Sequence, residues 1–457
     1  MQVHRLATVR SRALGIPVVV LLILWTATGF LTLFAGVSRE SNPALGPVRR
    51  LPVDLARITI GPSEALARAA LDSPPADARL LTVLDRPAYR FGDTTIFADS
   101  GERLTTVEPE MTRAIAARFA GVALDRVDPA QVMTSPDRWT TGHGRDLPLH
   151  KFRIHDDGGT EIYVSPRLAE VVAATSADQR LLSRIGDTHR LLLPPLDARP
   201  VLRAWIVAAL STLICVGAIA GAVRLLRDSN RRIVVRTAAV GMTSVALLWV
   251  MSGWLLMVAG AFSSGGVRVP SDTLSGRPVD ARALVVIDLP RLALVTGDRP
   301  IREVEFVRIQ DAPFLLVMLE ARRHSNQARD AGQLAAGASE RLLVVAETMT
   351  VRRVPFTSDS IRTRLAVSLP DVSIDGIEML DSSDGYYSRG AEHGRMPVAR
   401  VRFGDADATW VYVDPSTSAI VDRVDRTDRV RAWVRALHRL DLSRLSRLLR
   451  SASSATL

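Results

Sequence analysis

Residues 12–37 read RALGIPVVVLLILWTATGFLTLFAGV, and residues 236–262 read RTAAVGMTSVALLWVMSGWLLMVAGAF. The two stretches align at a constant offset of 224: Arg12 on Arg236, Trp25 on Trp249, Thr28 on Ser252, Gly29 on Gly253. The shared pattern is R…W-x-x-[ST]-G. Working outward, the apolar residues gather into three runs, at 16–37, 205–223 and 238–262. Each is long enough to span about 30 Å of hydrocarbon as a helix. A signal peptide is the competing reading for the first run. Its apolar stretch exceeds the roughly 7–15 residues of a signal core, and no small-x-small cleavage site follows, so a retained anchor is expected.

Charge sets the orientation. The chain has 457 residues and a formal charge of +10, with Lys151 its only lysine. So basic a chain usually partners nucleic acid, but these arginines cluster at the edges of the apolar runs and no nucleic-acid motif is present. Arg5, Arg10 and Arg12 precede the first run, and Arg224, Arg227, Arg231, Arg232 and Arg236 crowd the short loop between the second and third. The positive-inside rule puts both groups in the cytoplasm and the long stretches between on the other side. Gly217 and Gly221 in the second run have the GxxxG spacing that permits close helix packing.

A second repeat runs through the outer stretches at an offset of 249. It pairs Pro148 with Pro397, Tyr163 with Tyr412, Val164 with Val413, Pro166 with Pro415, Arg180 with Arg429, His189 with His438 and Arg190 with Arg439. His143-Gly144-Arg145 and His393-Gly394-Arg395 also pair, shifted by one. The chain therefore reads as a duplication. Its first half continues from the histidine into an apolar run and its second half does not, so a fourth span is expected to be absent. Residues 429–450 instead carry apolar side chains at 430, 433, 434, 437 and 440 with arginines opposite, a basic amphipathic helix expected on a membrane surface. Residues 62–71 read as a helix with Pro62 in its first turn. Residues 89–93 and 95–99 read as a hairpin closed by Asp99-Ser100-Gly101-Glu102. Residues 151–154, 161–164, 398–403 and 409–413 alternate as strands.

In order and in duplication these motifs resemble the PepSY-associated transmembrane proteins of bacterial inner membranes. The likeness rests on Arg12, Leu14, Gly15, Trp25, Thr28 and Gly29, and on the helix–hairpin closed by Asp99-x-Gly101-Glu102. It continues through Tyr386-Tyr387, Met396-Pro397-Val398, Tyr412-Val413-Asp414-Pro415, and Arg429, Trp433, Leu437-His438, Leu440-Asp441. It covers residues from about 5 to 445. The apolar runs and the resemblance together lead to an expected membrane protein with three transmembrane α-helices and two duplicated periplasmic α+β (PepSY-type) domains. The implied layout is a cytoplasmic N-terminus at 1–15, helix 1 at 16–37, a periplasmic domain at 38–203 and helix 2 at 204–225. An Arg-rich cytoplasmic loop at 226–237, helix 3 at 238–262, a second periplasmic domain at 263–428 and a basic amphipathic helix and tail at 429–457 follow.

Some members of that family are haem-containing reductases of ferric siderophores, with b-type haems held by histidines at the helix ends. Here Ser11 and Val235 stand where such histidines open the odd-numbered spans, and neither ligates iron in the bis-histidine manner. His189 and His438 remain as an outer pair, the expected ligands if haem b is bound. Otherwise each is an interfacial residue kept by ancestry. His143 and His393 head a repeated tripeptide that reads as a turn, with metal binding as the lesser reading. His150 and His155 are expected at the surface, facing opposite sides of a strand. Residues 156–159, Asp-Asp-Gly-Gly, read as a hairpin turn, since the remaining ligands of a calcium loop are lacking. The single cysteine, Cys215, excludes an intramolecular disulfide. No nucleophile–base set, P-loop or dinucleotide fingerprint is present. Two functions follow. One is a non-enzymatic, membrane-anchored binding or accessory protein of iron or siderophore uptake, whose partners are the bilayer and a periplasmic protein or siderophore-type ligand. The other is a haem b electron-transfer protein or ferric-siderophore reductase. The absent histidines favour the first.

Overall fold

A computed structural model describes residues 50–75, 77–189, 199–227, 232–258, 266–270, 272–275, 279–297, 299–320, 339–352, 356–387 and 396–454, with Leu24, Ala27, Thr28, Gly29 and Leu31. In chain order the elements used below are α1 (Pro62–Ala69), β1 (Ala78–Val83), β2 (Arg86–Phe91), β3 (Thr94–Phe97), α2 (Pro109–Ala120), β4 (Gln131–Met133), β5 (Leu149–Arg153), β6 (Glu161–Ser165), β7 (Glu170–Thr175) and α3 (Ala177–His189). The helices α4 (Pro200–Arg227), α5 (Ile233–Val258), α6 (Ala281–Val285) and α7 (Leu289–Thr296) come next. Then follow β8 (Ile301–Ile309), β9 (Ala312–Glu320), β10 (Ser339–Val345), β11 (Thr350–Val351), α8 (Ser358–Ser368), β12 (Ile374–Leu380), β13 (Val398–Phe403), β14 (Trp410–Asp414), β15 (Ala419–Val424), α9 (Arg426–His438) and α10 (Leu442–Ser454).

Among the described residues the class is mixed α and β, with three antiparallel sheets and two long apolar helices. Those helices, α4 and α5, contain the stretches Val201–Arg224 and Ile233–Leu256, each long and apolar enough to cross a membrane. Both extend into the Arg-rich loop expected at 226–237, because arginine is a good helix former and its stem lies along apolar neighbours. Of the first apolar run, the five described residues are helical, and the rest of 16–37, with Ser11, lies outside the described residues.

The central sheet has the order β11-β10-β9-β8-β1-β2-β3. It draws β1–β3 from the stretch 38–203 and β8–β11 from 263–428. The seam is the antiparallel β1–β8 pair, with Arg79 opposite Glu305, Leu80 opposite Val304 and Leu81 opposite Glu303. The tight turns on either side match: Leu84-Asp85 and Gln310-Asp311 all have positive φ, as two-residue hairpins of right-twisted strands require. β9 is buried on both faces, and its period of two sorts the core. Leu315, Val317 and Leu319 join Leu80, Tyr89, Val304 and Phe306 beneath α1, α6 and α7. Phe314, Leu316 and Met318 join Ile361 and Leu365 of α8 and Val401, Val411 and Val413 of the next sheet.

The two smaller sheets have the orders β4-β5-β6-β7 and β12-β13-β14-β15. The elements of the first recur 249 residues later: α2 and α8, β5 and β13, β6 and β14, β7 and β15, α3 and α9 all begin at that offset. The bonds Leu147-Pro148 and Met396-Pro397 are both cis. Asp156 accepts from Thr160 N at 2.8 Å and Thr160 Oγ1 at 2.6 Å, and Asp405 accepts from Thr409 N and Oγ1 at 2.6 and 2.7 Å. The 156–159 stretch is thus a side-chain-locked turn.

The structure corrects two expectations. The basic helix foreseen over 429–450 is two helices, broken at Leu440, whose φ is +52°. The second, α10, folds back on the protein: Leu448 is fully buried and Arg444 Nε donates to Gly385 O at 3.0 Å. His150 is buried as well, because α2 covers its face of β5 and brings Thr112 Oγ1 within 2.8 Å of its Nδ1. His155 is exposed and bonds Asp128 at 2.6 Å.

Candidate functional site

The two histidines that end α3 and α9 come together. Each helix is started and aimed by the same devices. Ser176 Oγ accepts from Gln179 N at 3.2 Å while Gln179 Oε1 accepts from Ser176 N at 3.0 Å. Asp425 and Asp428 form the same capping box on α9. One turn in, Arg180 donates to Gly159 O and Arg429 to Ala408 O, both at 2.7 Å, tying each helix to the hairpin turn of its own sheet. The helices then deliver His189 and His438 with ring centroids 6.2 Å apart and planes 30° from parallel.

The repeated W-x-x-[ST]-G pattern is the seat for these rings. Thr28 Oγ1 lies 3.4 Å from His189 Nδ1, and Ser252 Oγ lies 3.0 Å from His438 Nδ1. A Cβ on Gly29 would fall 2.8 Å from His189 Cε1, and one on Gly253 would fall 3.1 Å from His438 Cε1. Only glycine lets the imidazoles approach so closely. His438 Nδ1 is also 3.2 Å from Trp249 O, and Trp249 Nε1 donates to His438 O at 3.0 Å. Ser252 Oγ donates to Trp249 O at 2.8 Å, so it accepts from the ring. A neutral imidazole protonated on Nδ1 satisfies all of these contacts and leaves Nε2 as an acceptor. Burial, then the neighbouring His189, pushes the His438 pKa down to about 4, which keeps this ring neutral near pH 7.

Two nitrogens on one metal atom, at roughly 2 Å each, would put the ring centroids about 6 Å apart. The observed spacing therefore suits one metal atom held from both sides. The surroundings suit a porphyrin less well. The Trp249 ring lies 6.0 Å from the His438 centroid, and its Cζ2 would be 3.0 Å from a Cβ on Gly29, beside His189. Trp249 thus flanks the gap where a macrocycle would spread. The ring spacing is compatible with a shared metal atom, and Trp249 packs beside the pair, where a porphyrin edge would have to pass. At the other end of α5, Val235 offers no ligand.

The weaker candidates stay apart. His143 sits in the 3₁₀ turn Thr141–Asp146 and shares its Nδ1 with Asp146 at 2.9 Å, which fits a turn role. His393 lies outside the described residues. Among the described residues no three His, Cys, Asp or Glu side chains gather as a metal set.

A second repeated arrangement escaped sequence reasoning. Tyr163 OH donates to Asp137 and Tyr412 OH to Asp384, both at 2.7 Å. Each aspartate also caps the turn after it, Asp137 accepting from Trp139 N at 2.8 Å and Asp384 from Tyr386 N at 2.9 Å. In the second half Arg400, only 1% exposed, adds bonds to Asp384 at 2.8 Å and Glu378 at 2.5 Å. The matching Lys151 pairs with Glu161 at 2.9 Å. Each tyrosine was visible in the repeat, but its aspartate lies at an offset of 247, two short of the repeat, and so went unmatched.

Compared with known proteins, the chain matches no family model, no curated protein and no solved structure.

Proposed function

We propose that the chain is a membrane-anchored accessory protein of PepSY type. In this reading three transmembrane helices carry a duplicated α+β region in the periplasm, the N-terminus is cytoplasmic, and the membrane is a bacterial inner membrane. The outer region then serves iron or siderophore uptake by binding a periplasmic protein or a siderophore-type ligand. The length and apolarity of α4 and α5, and arginines at 224, 227, 232 and 236 between them, support the anchor and its direction. The recurrence of elements at 249 supports the duplication.

The observation that carries the non-redox reading is the crowding of the histidine pair by Trp249, together with valine at 235. The pair then joins the outer sheets to the spans: each histidine closes its half by docking onto the [ST]-G step of a helix. The competing reading, a haem b protein or ferric reductase, draws on the 6.2 Å ring spacing. An optical spectrum of detergent-purified protein from haem-replete cells separates the two. A folded, colourless preparation is expected. A reduced b-type band that disappears in His189→Ala would overturn the accessory reading and install the other.

A further inference from the structure

α9 ends against α5 through His438, which touches Ser252 within the apolar stretch 233–256. The chain then turns at 439–441 and climbs away as α10, whose Leu448 is held on Gly385 of the outer region. The elbow therefore follows directly on a residue seated against the apolar helix α5. Two leucines stand out there, Leu440 at 63% exposed and Leu442 at 75%.

Around them the charge is one-sided. Arg431 and Arg435 of α9 and Arg439 at its C-cap follow at i, i+4 and i+8, and α10 adds Arg444 and Arg447. Arg435 feels Arg439 and Arg431, and Arg444 feels Arg435, Arg439 and Arg447, so the five form one cluster. Both nearby carboxylates are engaged: Asp428 caps α9 and pairs with Arg431 at 3.0 Å, and Asp441 caps α10 through Arg444 N at 2.9 Å. Arg447 Nε is buried with no hydrogen-bond partner among the described residues. Burial and mutual repulsion lower the pKa of Arg435 and of Arg444, as expected where countercharge is short.

We propose that the α9–α10 elbow binds the phosphates of anionic phospholipids in the leaflet facing the outer region, with Leu440 and Leu442 entering the headgroup–acyl boundary and Arg435, Arg439 and Arg447 holding the phosphodiesters. This rests on the membrane reading above. A basic helix end with exposed leucines matches an anionic interface in both charge and apolarity. Each arginine near such a surface contributes about a fivefold change in partitioning.

The test uses the full chain in nanodiscs and follows backbone hydrogen exchange. In discs containing phosphatidylglycerol, amides of residues 435–447 should exchange about fivefold or more slowly than in phosphatidylcholine discs. The Arg435→Gln/Arg439→Gln/Arg447→Gln variant should erase that difference. Equal exchange in both lipids, with α4 and α5 protected, overturns this inference alone. The same slowing on adding inorganic phosphate to phosphatidylcholine discs overturns the lipid assignment in favour of a soluble anion. Unprotected α4 and α5 amides overturn the membrane reading beneath it.

Discussion

At the scale of single residues, His438 makes the sharpest claim. Its pKa falls from the usual value of about 6.5 to about 4 in the folded chain. Between those values the unfolded chain binds more protons. The neutral ring's contribution is therefore complete above about pH 6.5 and is lost as pH drops toward 4, on the order of 3 kcal/mol. Thermal melts at pH 7.5 and 4.5 should differ less in His438→Gln than in the parent; an unchanged difference would remove His438 as the cause. Glycine makes the second claim. Gly29→Ala sets a methyl 2.8 Å from His189 Cε1, which should cost about 1–3 kcal/mol by overpacking. Gly253→Ala sets a methyl 3.1 Å from His438 Cε1, also tight but less so, and should cost less. Melting temperatures rank the two, and the reverse order would show that the seat is looser at His189. Sequence alone displayed Thr28-Gly29 and Ser252-Gly253 as a repeat. It did not show that they receive histidines 161 and 186 residues away, because periodicity carries no information about distant partners.

At the scale of elements, α9 and α10 show how a correct pattern can be assigned the wrong cover. The apolar positions 430, 433, 434 and 437 do line one side of α9, and Leu440 lies beyond its end. Yet Val430 and Leu440 are exposed, while Ala432 and Ala436 are buried. Small residues add little to a hydrophobic count but allow close helix contact, so the packed face was the quieter one. α10 rests on Leu448, fully buried beside Tyr386, Trp410 and Tyr412. Leu448→Ala should cost about 2–3 kcal/mol and release α10, seen as faster proteolysis after Arg444 or Arg447. Unchanged cleavage would mean that Arg444 and Ser451 suffice to hold the helix. His150 belongs to the same lesson: alternation placed it on a strand face, and only the packing of α2 showed that face to be covered.

At the scale of the whole molecule, the seam between the halves is where polar groups are buried together. Glu303, 2% exposed, meets Arg50 at 2.5 Å and Arg79 at 3.4 Å, while Glu170 meets Arg50 at 2.6 Å and also Arg90. Burial alone would raise the Glu170 pKa, but Arg90 and Arg50 outweigh it and hold the value at about 2. This carboxylate's contribution is therefore complete above its unfolded value near 4.5 and is lost as pH falls toward 2, on the order of 3 kcal/mol. Acid unfolding of Glu170→Gln should begin from a lower stability and slope less through that window. Because β1 pairs with β8, residues 50–189 alone leave the β1 edge unpaired, and unpaired edges associate. That fragment should dimerise or aggregate on size-exclusion chromatography; a stable, well-dispersed monomer would show that the seam is dispensable.

The sequence by itself determined the apolar runs, their arginine flanks, the hairpin within 89–99, the two inner strands of each smaller sheet and the two registers of repetition, 224 and 249. These are local or periodic properties, set by composition and by spacing along one chain. Tertiary structure alone decided that strands from the stretches 38–203 and 263–428 share one sheet, that α10 folds back onto the protein, that His150 is covered, and that His189 and His438 lie 6.2 Å apart against their glycine seats. Those outcomes depend on which surfaces meet, and a pattern of burial records that a face is covered without recording what covers it.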